Sequence, residues 1–545
     1  MMNSKILAFR RIPMNMTTLI LFCAVYFGTV MNYPILKTIF QLSADVSNPL
    51  FAYTAPILLT CAFIIIFSLF AWPYFFKPFM FFVILSSAAA LYAEVNFQAL
   101  LDTTMMESVF ETNSSEISFY FNVRLLIFLL GFGLLPCVFL AWIRITPHST
   151  WRRALISRIA LVLVAVVGIG LIAETCYKDY ASVGRNNHYL NQMIIPAHIF
   201  NGAKYLNRTY FESQLEYQTL GSDAHLAAVA NGKPTLMVVV LGETARAMNF
   251  AYNGYKRDTN PYTKNMGLIA FQQVSSCGTY TALSVPCMFS NMTRGSYDKR
   301  RANSQDNVLN VLQHAGVDVL WIDNDGGDKG VAKNLAYISI NSSLKNDDCN
   351  GSTCFDVAML NDANTFIDQG THDKLLVLHT IGSHGPTYWQ RYPDAQAPFQ
   401  PACNRNDIEN CSDEQIVNVY DNTLVYTDYV LAQVIQQLQR VSTKYNVMLT
   451  YISDHGESLG ESGMYLHGTP YLIAPKQQTH VPWLVWMPEQ YATQKGINKK
   501  CLENKAQNSA LSHDNLFHSL LGLYGVSSQV HDATLDIVQS CQSIS

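Results

Sequence analysis

Charged residues are scarce in this chain of 545 residues. Asp, Glu, Lys and Arg account for 14% of the sequence and hydrophobic residues for 49%, whereas about a quarter of a typical soluble protein is charged. An excess of basic residues is also lacking, since 36 Lys and Arg oppose 40 Asp and Glu. No basic surface is therefore expected to attract a nucleic acid. The composition excludes a nucleic-acid partner and argues against a wholly soluble protein.

The CxxC spacing of zinc ribbons and redox motifs is absent, although the chain has twelve cysteines. Four of them fall in or beside apolar runs. The other eight follow residue 270 and could form four local disulfides: Cys277 with Cys287, Cys349 with Cys354, Cys403 with Cys411, and Cys501 with Cys541. Disulfides persist only in oxidising surroundings, so we expect this half of the chain to lie outside the cytosol. Eight reduced cytosolic thiols are the alternative.

Long apolar runs are confined to the first 176 residues. Five of them approach the roughly 20 apolar residues that cross a bilayer, at about 17–36, 51–71, 77–94, 123–143 and 157–175. The first run lacks the small-residue cleavage site of a signal peptide, and further runs follow it at once. The sequence therefore predicts five membrane-spanning helices.

Basic residues predict the orientation of these helices. They cluster at the N-terminus, at Lys77 and between Arg144 and Arg158, and such clusters favour the cytoplasmic side. Five crossings then place residue 176 onward on the opposite side, in agreement with the cysteines. We predict a transmembrane domain over 1–176 with a cytoplasmic N-terminus, a bridging segment over 177–225 and a domain outside the cytosol over 226–545. The bridge could lie along the lipid headgroups or be a solvated linker.

Uninterrupted apolar runs alternate with helical patterns in the second half. Runs of this kind are typical of strands buried on both faces of a parallel sheet. They occur at 235–241, 317–322, 375–378, 447–452 and 481–487, with helical patterns at 307–314 and 413–440. This alternation predicts an α/β domain.

Metal-ligand chemistry follows three of these predicted strands. Glu243 follows the first, His384 the third, and Asp454 with His455 the fourth. Open α/β sheets bind ligands beyond the carboxyl ends of their strands, and carboxylate and imidazole groups are ligands suited to zinc. Taken alone, an Asp-His pair more often caps a helix or satisfies a loop.

A hydroxyl-rich loop lies between Cys277 and Cys287 and leads into a predicted helix. A hydroxyl near a helix N-terminus meets backbone N–H groups that favour a phosphate or its anionic transition state. Thr281 bound to zinc would lose its proton more readily and so become a nucleophile. An ordinary Ser/Thr cap or turn is the alternative.

Four segments together carry a family resemblance: Gly242-Glu-Thr-Ala-Arg246, Ser276-Cys-Gly-Thr-Tyr-Thr-Ala-Leu-Ser-Val-Pro-Cys287, His384-Gly-Pro386 and Ser453-Asp-His-Gly-Glu-Ser-Leu-Gly460. The chain resembles the lipid A phosphoethanolamine transferases, which include the mobile colistin-resistance enzymes, in the alkaline phosphatase and sulfatase superfamily. The resemblance covers essentially the whole length. It implies a helical membrane domain of five spans and an alkaline phosphatase-like periplasmic domain.

The resemblance also implies roles for individual residues. Thr281 would be the nucleophile, and Glu243, Thr281, Asp454 and His455 would bind the catalytic zinc. A second zinc during turnover is left open. Asp325 stands where an amide-like residue is expected, which leaves the fine substrate contacts open. A further set would bind a second metal or the phosphate, with its histidines as ligands or proton carriers: Lys329, His384 and His467.

The implied donor is phosphatidylethanolamine, and the implied acceptor is a lipid A phosphate. Thr112 and Glu116 match the family's donor-site segment, whereas Ser108 stands where an Asn is expected. Glu116 could pair with the ethanolamine ammonium or belong to a solvated helix face. The implied enzyme is a monomer in the bacterial inner membrane, in contact with its lipids. By lowering the negative charge of the outer membrane, it would confer resistance to cationic peptides such as polymyxin and colistin.

Three alternatives remain at this point. The first is a hydrolase of the same fold, a sulfatase or phosphodiesterase that passes the adduct to water. The second is a transferase that modifies core sugars, Kdo or periplasmic glucans instead of lipid A. The third is a transporter or sensor with an inert external domain, which the few charges within the spans and the lack of an inverted repeat disfavour.

Overall fold

The computed structural model describes residues 11–43, 51–111, 122–146, 149–212, 215–226, 232–406 and 408–542. The chain forms two compact units. The first unit comprises residues 1–110 and 121–211. The second comprises residues 111–120 and 212–545.

The first unit is helical. A short parallel pair of strands, β1 (Ile12–Asn15) and β2 (Ile143–Thr146), accompanies its helices. These helices are α1 (Met16–Tyr26), α2 (Tyr33–Leu42), α3 (Phe51–Leu69), α4 (Phe76–Phe97), α5 (Thr103–Glu111), α6 (Val123–Phe128), α7 (Leu135–Trp142), α8 (Trp151–Asn186) and α9 (Ala197–Leu206). The π-helical segments Phe27–Met31 and Leu129–Leu134 extend α1 and join α6 to α7.

Four stretches of the described chain are long and apolar enough to cross a membrane: Phe51–Leu69, Phe76–Phe97, Val123–Trp142 and Trp151–Tyr180. Met16–Met31 and Tyr33–Leu42 make a fifth span if this pair, bent by 57°, is counted as one. The predicted helical membrane region is thus confirmed at four to five spans.

The first span is broken, where the sequence predicts one continuous helix over 17–36. Asn32 lies at the break, and its amide donates to the carbonyl oxygens of Phe27 and Ile195 at 2.8 Å each. Its side-chain oxygen accepts from the Ile195 backbone N–H at 2.9 Å. Pro34 follows at the start of α2 and cannot donate a helical hydrogen bond. Asn32 therefore pairs the Phe27 carbonyl oxygen, which a continuous helix would pair internally, and ties the break to the backbone of Ile195.

The second unit contains a mixed seven-stranded sheet in the order β5-β13-β10-β4-β9-β7-β8. The strands of this unit are β3 (His225–Leu226), β4 (Thr235–Gly242), β5 (Leu268–Phe271), β6 (Gln273–Ser275), β7 (Asp318–Asp323), β8 (Ala336–Ser339), β9 (Lys374–His379), β10 (Asn446–Ser453), β11 (Ser458–Leu459), β12 (Tyr465–Leu466), β13 (Trp483–Trp486), β14 (Ala510–Ser512) and β15 (Val526–Ser527). The five strands from β10 to β8 run parallel, and β13 pairs antiparallel with both β10 and β5.

Helices accompany this sheet, as the α/β prediction requires. They are α10 (Thr281–Met288), α11 (Lys299–Asn303), α12 (Val308–His314), α13 (Leu360–Asp368), α14 (Asp413–Val441), α15 (Lys476–Thr479), α16 (Glu489–Gln494), α17 (Lys499–Asn508) and α18 (Leu516–Tyr524). The longest, α14, begins with a capping box between Ser412 and Gln415, which satisfies N–H groups of its first turn. Every residue of β4, β9 and β10 is buried. The predicted α/β fold is confirmed.

Candidate active site

Neighbouring parallel strands bring three candidate ligands to one edge of the sheet. Strands β4 and β10 are hydrogen-bonded neighbours with Gly242 opposite Ser453. The residues that follow them, Glu243 on one side and Asp454 with His455 on the other, therefore lie next to each other. All three side chains are completely buried. The site therefore lies beyond the carboxyl ends of the strands, where open α/β sheets bind ligands.

These three side chains form a compact set of acceptor atoms. One ligand atom from each lies within 4.8 Å of the other two. The Nε2 atom of His455 is 3.2 Å from Oδ2 of Asp454 and 3.5 Å from Oε1 of Glu243. Its Nδ1 atom lies 2.9 Å from the Gly456 carbonyl oxygen, so Nδ1 carries the proton and Nε2 directs a lone pair at the carboxylates.

The set fits a divalent cation. Oδ2 of Asp454 is buried and has no hydrogen-bond donor among the described residues. Glu243 accepts from the Thr244 and Thr281 hydroxyls and Asp454 Oδ1 from two backbone N–H groups, but leaving the remaining acceptor Oδ2 unpaired is costly in a dry interior. Nitrogen and oxygen donors of this kind are ligands for Zn²⁺.

Thr281 brings a hydroxyl group to the same set. It is the first residue of α10 and follows the N-cap residue Tyr280. Its Oγ1 atom is 3.1 Å from Oε2 and 3.3 Å from Oε1 of Glu243. The same hydroxyl is 3.4 Å from Nε2 of His455. The structure thus brings Thr281, Glu243, Asp454 and His455 together, although 174 positions separate the threonine from the histidine.

Burial dominates the electrostatics of the site. It raises the pKa of the Glu243 carboxyl well above its usual range, and the Asp454 charge raises it further. Burial, followed by the Asp325 charge, raises the pKa of Asp454 to about 7. Burial also lowers the pKa of His455 well below its ordinary value, so the imidazole stays neutral. A cation at this position would favour the ionised carboxylates that burial disfavours.

Lys329, His384 and His467 lie around the same set. The His467 ring is 4.6 Å from the His455 ring and 5.8 Å from the His384 ring, between centroids. The Lys329 charge lowers the pKa of Glu243 against the larger effect of burial. Burial, assisted by the charge of Arg391, lowers the pKa of His384 well below its ordinary value. Neutral imidazoles can bind a cation or carry a proton, and these distances are compatible with both roles.

Comparison with known proteins agrees with this geometry. The sulfatase family model matches residues 235–526, and the model of phosphoethanolamine transferases EptA and EptB matches residues 59–210. Phosphoethanolamine transferase EptA of Escherichia coli K12 is 37% identical over 98% of this chain and 99% of its own length. Phosphatidylethanolamine transferase Mcr-1 of Escherichia coli is 34% identical over 94% of this chain and 95% of its own. The chain belongs to the EptA and Mcr family of phosphoethanolamine transferases.

A solved relative shows that the likeness extends to the fold of the whole chain. Lipooligosaccharide phosphoethanolamine transferase A of Neisseria meningitidis, an integral membrane protein, matches this transferase with a TM-score of 0.94. The two are 34% identical, and the match covers 97% of this chain and 99% of the other. The family resemblance predicted from the four motif segments is confirmed.

The transferase contains the four disulfides suggested by the cysteine spacing. The bonds are Cys277–Cys287, Cys349–Cys354, Cys403–Cys411 and Cys501–Cys541. The first closes the segment that precedes and includes Thr281. All four belong to the second unit, whereas the free cysteines belong to the first. This distribution agrees with oxidising surroundings for the second unit.

The expected donor-site segment is only partly described. Ser108 lies on α5 and is half-buried. Thr112 and Glu116 lie outside the described residues. The role of this segment in binding the donor lipid stays a prediction.

The sequence analysis missed His379 as a site residue. This histidine ends β9, opposite Leu241 of β4 and Asp323 of β7. One of its ring nitrogens and one carboxylate oxygen each from Glu243 and Asp325 lie within 4.8 Å of one another. A signal was present, because the apolar run at 375–378 leads directly into His379. The predicted site residue, His384, lies five positions further along the chain.

Proposed function

We propose that this transferase moves phosphoethanolamine from phosphatidylethanolamine to a lipid A phosphate through a covalent intermediate on Thr281. One observation carries the proposal. The hydroxyl oxygen of Thr281 lies 3.1 Å from Glu243 Oε2 and 3.4 Å from His455 Nε2. The nucleophile is thus in contact with the acceptor set that fits a divalent cation.

Four residues of this site would hold a zinc ion: Glu243, Thr281, Asp454 and His455. When bound, zinc would lower the pKa of the Thr281 hydroxyl and neutralise charge on the phosphoryl oxygens. The Glu243 carboxylate accepts a hydrogen bond from the Thr281 hydroxyl at 3.1 Å. Glu243 therefore holds the Thr281 oxygen beside the atoms that would bind the cation.

The first half-reaction attaches the headgroup to the enzyme. The Thr281 oxygen forms a bond to the phosphorus of phosphatidylethanolamine, and the bond from phosphorus to the glycerol oxygen breaks. Thr281 loses its proton to a base at the site, and the diacylglycerol oxygen gains one as it leaves. His384 and His467 are candidates for this proton transfer, and their rings lie 5.8 Å apart.

The second half-reaction releases the headgroup to the acceptor. A lipid A phosphate oxygen attacks the same phosphorus and gives up its proton to a base at the site, the bond to the Thr281 oxygen breaks, and the Thr281 oxygen takes up a proton from that base. The Lys329 ammonium, whose charge acts on Glu243, supports this step by offsetting the negative charge of two phosphates brought together. Attachment of phosphoethanolamine then adds a positive ammonium to lipid A, which would weaken the binding of polymyxin and colistin.

The same proposal includes a location for the enzyme in the cell. Spans in the first unit would anchor the enzyme in the bacterial inner membrane, beside its donor lipid. Four disulfides support a periplasmic position for the second unit. The Neisseria relative is named for lipooligosaccharide, a substrate of the same class as the proposed acceptor.

Mass spectrometry of lipid A tests the acceptor. Lipid A from cells that express the chain should carry an added phosphoethanolamine, labelled when the cells are grown on deuterated ethanolamine. Cells with an empty vector are the control. Label on core sugar, Kdo or glucan, with unmodified lipid A, would contradict the proposed acceptor. Release of phosphoethanolamine to water without any labelled glycan would indicate a hydrolase.

The affinity of the metal-free transferase for zinc should increase as the pH rises towards 7. The pKa of Asp454 is raised to about 7, so below that pH a proton occupies the carboxyl and must leave before a cation binds. We expect zinc affinity to fall by about tenfold for each pH unit below 7, and by more if Glu243 also releases a proton. Competition with a colorimetric chelator, corrected for its own titration, measures this. Constant affinity between about pH 5.5 and 7 would contradict the expectation.

A further inference from the structure

A second group of acceptor atoms converges on Glu243. His379 is the last residue of β9, and Asp325 follows β7, the next strand in the sheet. One ligand atom from each of Glu243, Asp325 and His379 lies within 4.8 Å of the other two. Glu243 and His379 are fully buried, and Asp325 is 5% exposed. Glu243 therefore belongs to two groups of acceptors.

The orientation of His379 is fixed by Asp323. Its Nδ1 atom lies 2.7 Å from Oδ1 of Asp323, the residue directly opposite it on β7. Because a carboxylate accepts, Nδ1 donates and Nε2 carries the lone pair of a neutral ring. Trp321 packs edge-on against the ring at 5.4 Å between centroids. A carboxylate behind a buried histidine is the arrangement that orients the ring of a metal ligand.

The lone pair of His379 points at acceptors. Nε2 is buried and has no hydrogen-bond donor among the described residues. Its acidic neighbour is Oδ2 of Asp325, 3.6 Å away, which in its ionised form offers no proton. A buried imidazole nitrogen without a donor, close to two carboxylates, favours a positive species between them.

We propose that Glu243, Asp325 and His379 form a second divalent-cation site, suited to zinc by its nitrogen and oxygen ligands. The inference rests on the proposed function in one respect, because Glu243 would be shared with the zinc that Asp454, His455 and Thr281 bind. Asp325 and His379 belong to this second site alone. A cation there would offset the Asp325 charge that acts on Asp454.

Two other arrangements would satisfy the same atoms without a metal. His379 could be protonated and bridge Asp323 to Asp325 as an imidazolium. Alternatively, the Lys329 ammonium, whose charge acts on both Glu243 and Asp323, could neutralise the group. Both arrangements predict that removal of the Asp325 carboxylate leaves the number of bound metal ions unchanged.

Metal analysis of the full-length protein separates these possibilities. The purified chain in detergent is stripped with a chelator, dialysed against buffered free zinc and analysed by elemental mass spectrometry. We expect Asp325→Asn to bind one zinc ion fewer per chain than the unsubstituted protein, and His379→Asn to show the same loss. Asp347→Asn is the matched control, because it makes the same change of charge at an exposed carboxylate and should bind the full complement.

Two further variants distinguish the sites from each other. Asp454→Asn should lose a different zinc ion, so that Asp325→Asn combined with Asp454→Asn loses both. His467→Asn tests the alternative that a second zinc ion is bound by His384 and His467. In the His467→Asn background, Asp325→Asn should still bind one zinc ion fewer per chain. Equal zinc content in Asp325→Asn and the unsubstituted protein would overturn this inference alone, provided that Asp454→Asn loses its ion. If Asp454→Asn also keeps full zinc content, the zinc site of the proposed function fails as well.

Discussion

Thr281→Ala is expected to reduce phosphoethanolamine transfer by a factor of about 10⁴ or more, the size of effect that follows from loss of a covalent nucleophile. The reason is geometric. Oγ1 of Thr281 is held 3.1 Å from the Glu243 carboxylate and 3.4 Å from the His455 ring. Alanine removes the only atom of this side chain that can bond to phosphorus, and water entering the space would not form the covalent adduct.

The intermediate itself gives a readout that does not depend on turnover. Incubation with phosphatidylethanolamine, without acceptor, should add one phosphoethanolamine to the intact protein and to the peptide that contains Thr281. Thr281→Ala should show no adduct, whereas Thr281→Ser should retain a reduced one, because serine supplies the same hydroxyl.

Thr365→Ala controls for the loss of a threonine. Thr365 is exposed on α13, and its hydroxyl donates only to the Asn361 carbonyl oxygen at 3.1 Å. This variant should transfer at the normal rate. Full transfer by Thr281→Ala, or an adduct on another residue, would refute the covalent route through Thr281.

The strands of the sheet could be predicted from the sequence because parallel strands are buried on both faces. The run at 235–241 corresponds to Thr235–Gly242, and the run at 447–452 to Asn446–Ser453. The direction of Trp483–Trp486 could not be predicted in this way. It is antiparallel to β10, yet an apolar run has the same composition in either direction, and only the path of the connecting chain decides which one it takes.

The candidate site was partly predictable for a related reason. Parallel strands end at one edge, so Glu243 and Asp454 could be expected near each other from their positions after two buried runs. His379 was missed because it is part of its strand and does not follow it. The contact of Thr281 with Glu243 joins the start of a helix to a strand end 38 positions away, and no local pattern fixes such a distance. The break at Asn32 escaped notice because its partner, Ile195, is 163 positions away.

Asp454→Asn is expected to weaken the tightest zinc binding by at least about 100-fold, since loss of an outer-shell partner alone costs 10- to 100-fold. Oδ2 of Asp454 is buried without a hydrogen-bond donor among the described residues and lies 3.2 Å from His455 Nε2. Asparagine keeps the size of the side chain but places a neutral oxygen or an amide N–H at this position. An N–H directed at the cation would repel it, and a neutral oxygen would attract it less.

Zinc-dependent stabilisation measures this loss in the folded protein. With free zinc at 100 times the dissociation constant, the unsubstituted chain should gain about 2.7 kcal/mol of stability, and a variant with 100-fold weaker binding only about 0.4 kcal/mol. Asp428→Asn is the matched control, because Asp428 is also fully buried but accepts hydrogen bonds from Tyr262 and Thr263. It should lose intrinsic stability and keep the full gain from zinc.

Comparing the two variants shows whether Asp454 binds the metal or only stabilises the fold. If Asp454 were purely structural, Asp454→Asn would behave like Asp428→Asn, with a lower melting temperature at every zinc concentration and an unchanged stabilisation by zinc. If Asp454 is a ligand, the melting temperature of the metal-free protein is kept and the stabilisation by zinc is reduced. Because burial and the Asp325 charge raise the pKa of the Asp454 carboxyl, its replacement relieves repulsion in the metal-free protein. The metal-free variant should therefore unfold no earlier than the unsubstituted chain, while most of its stabilisation by zinc is lost.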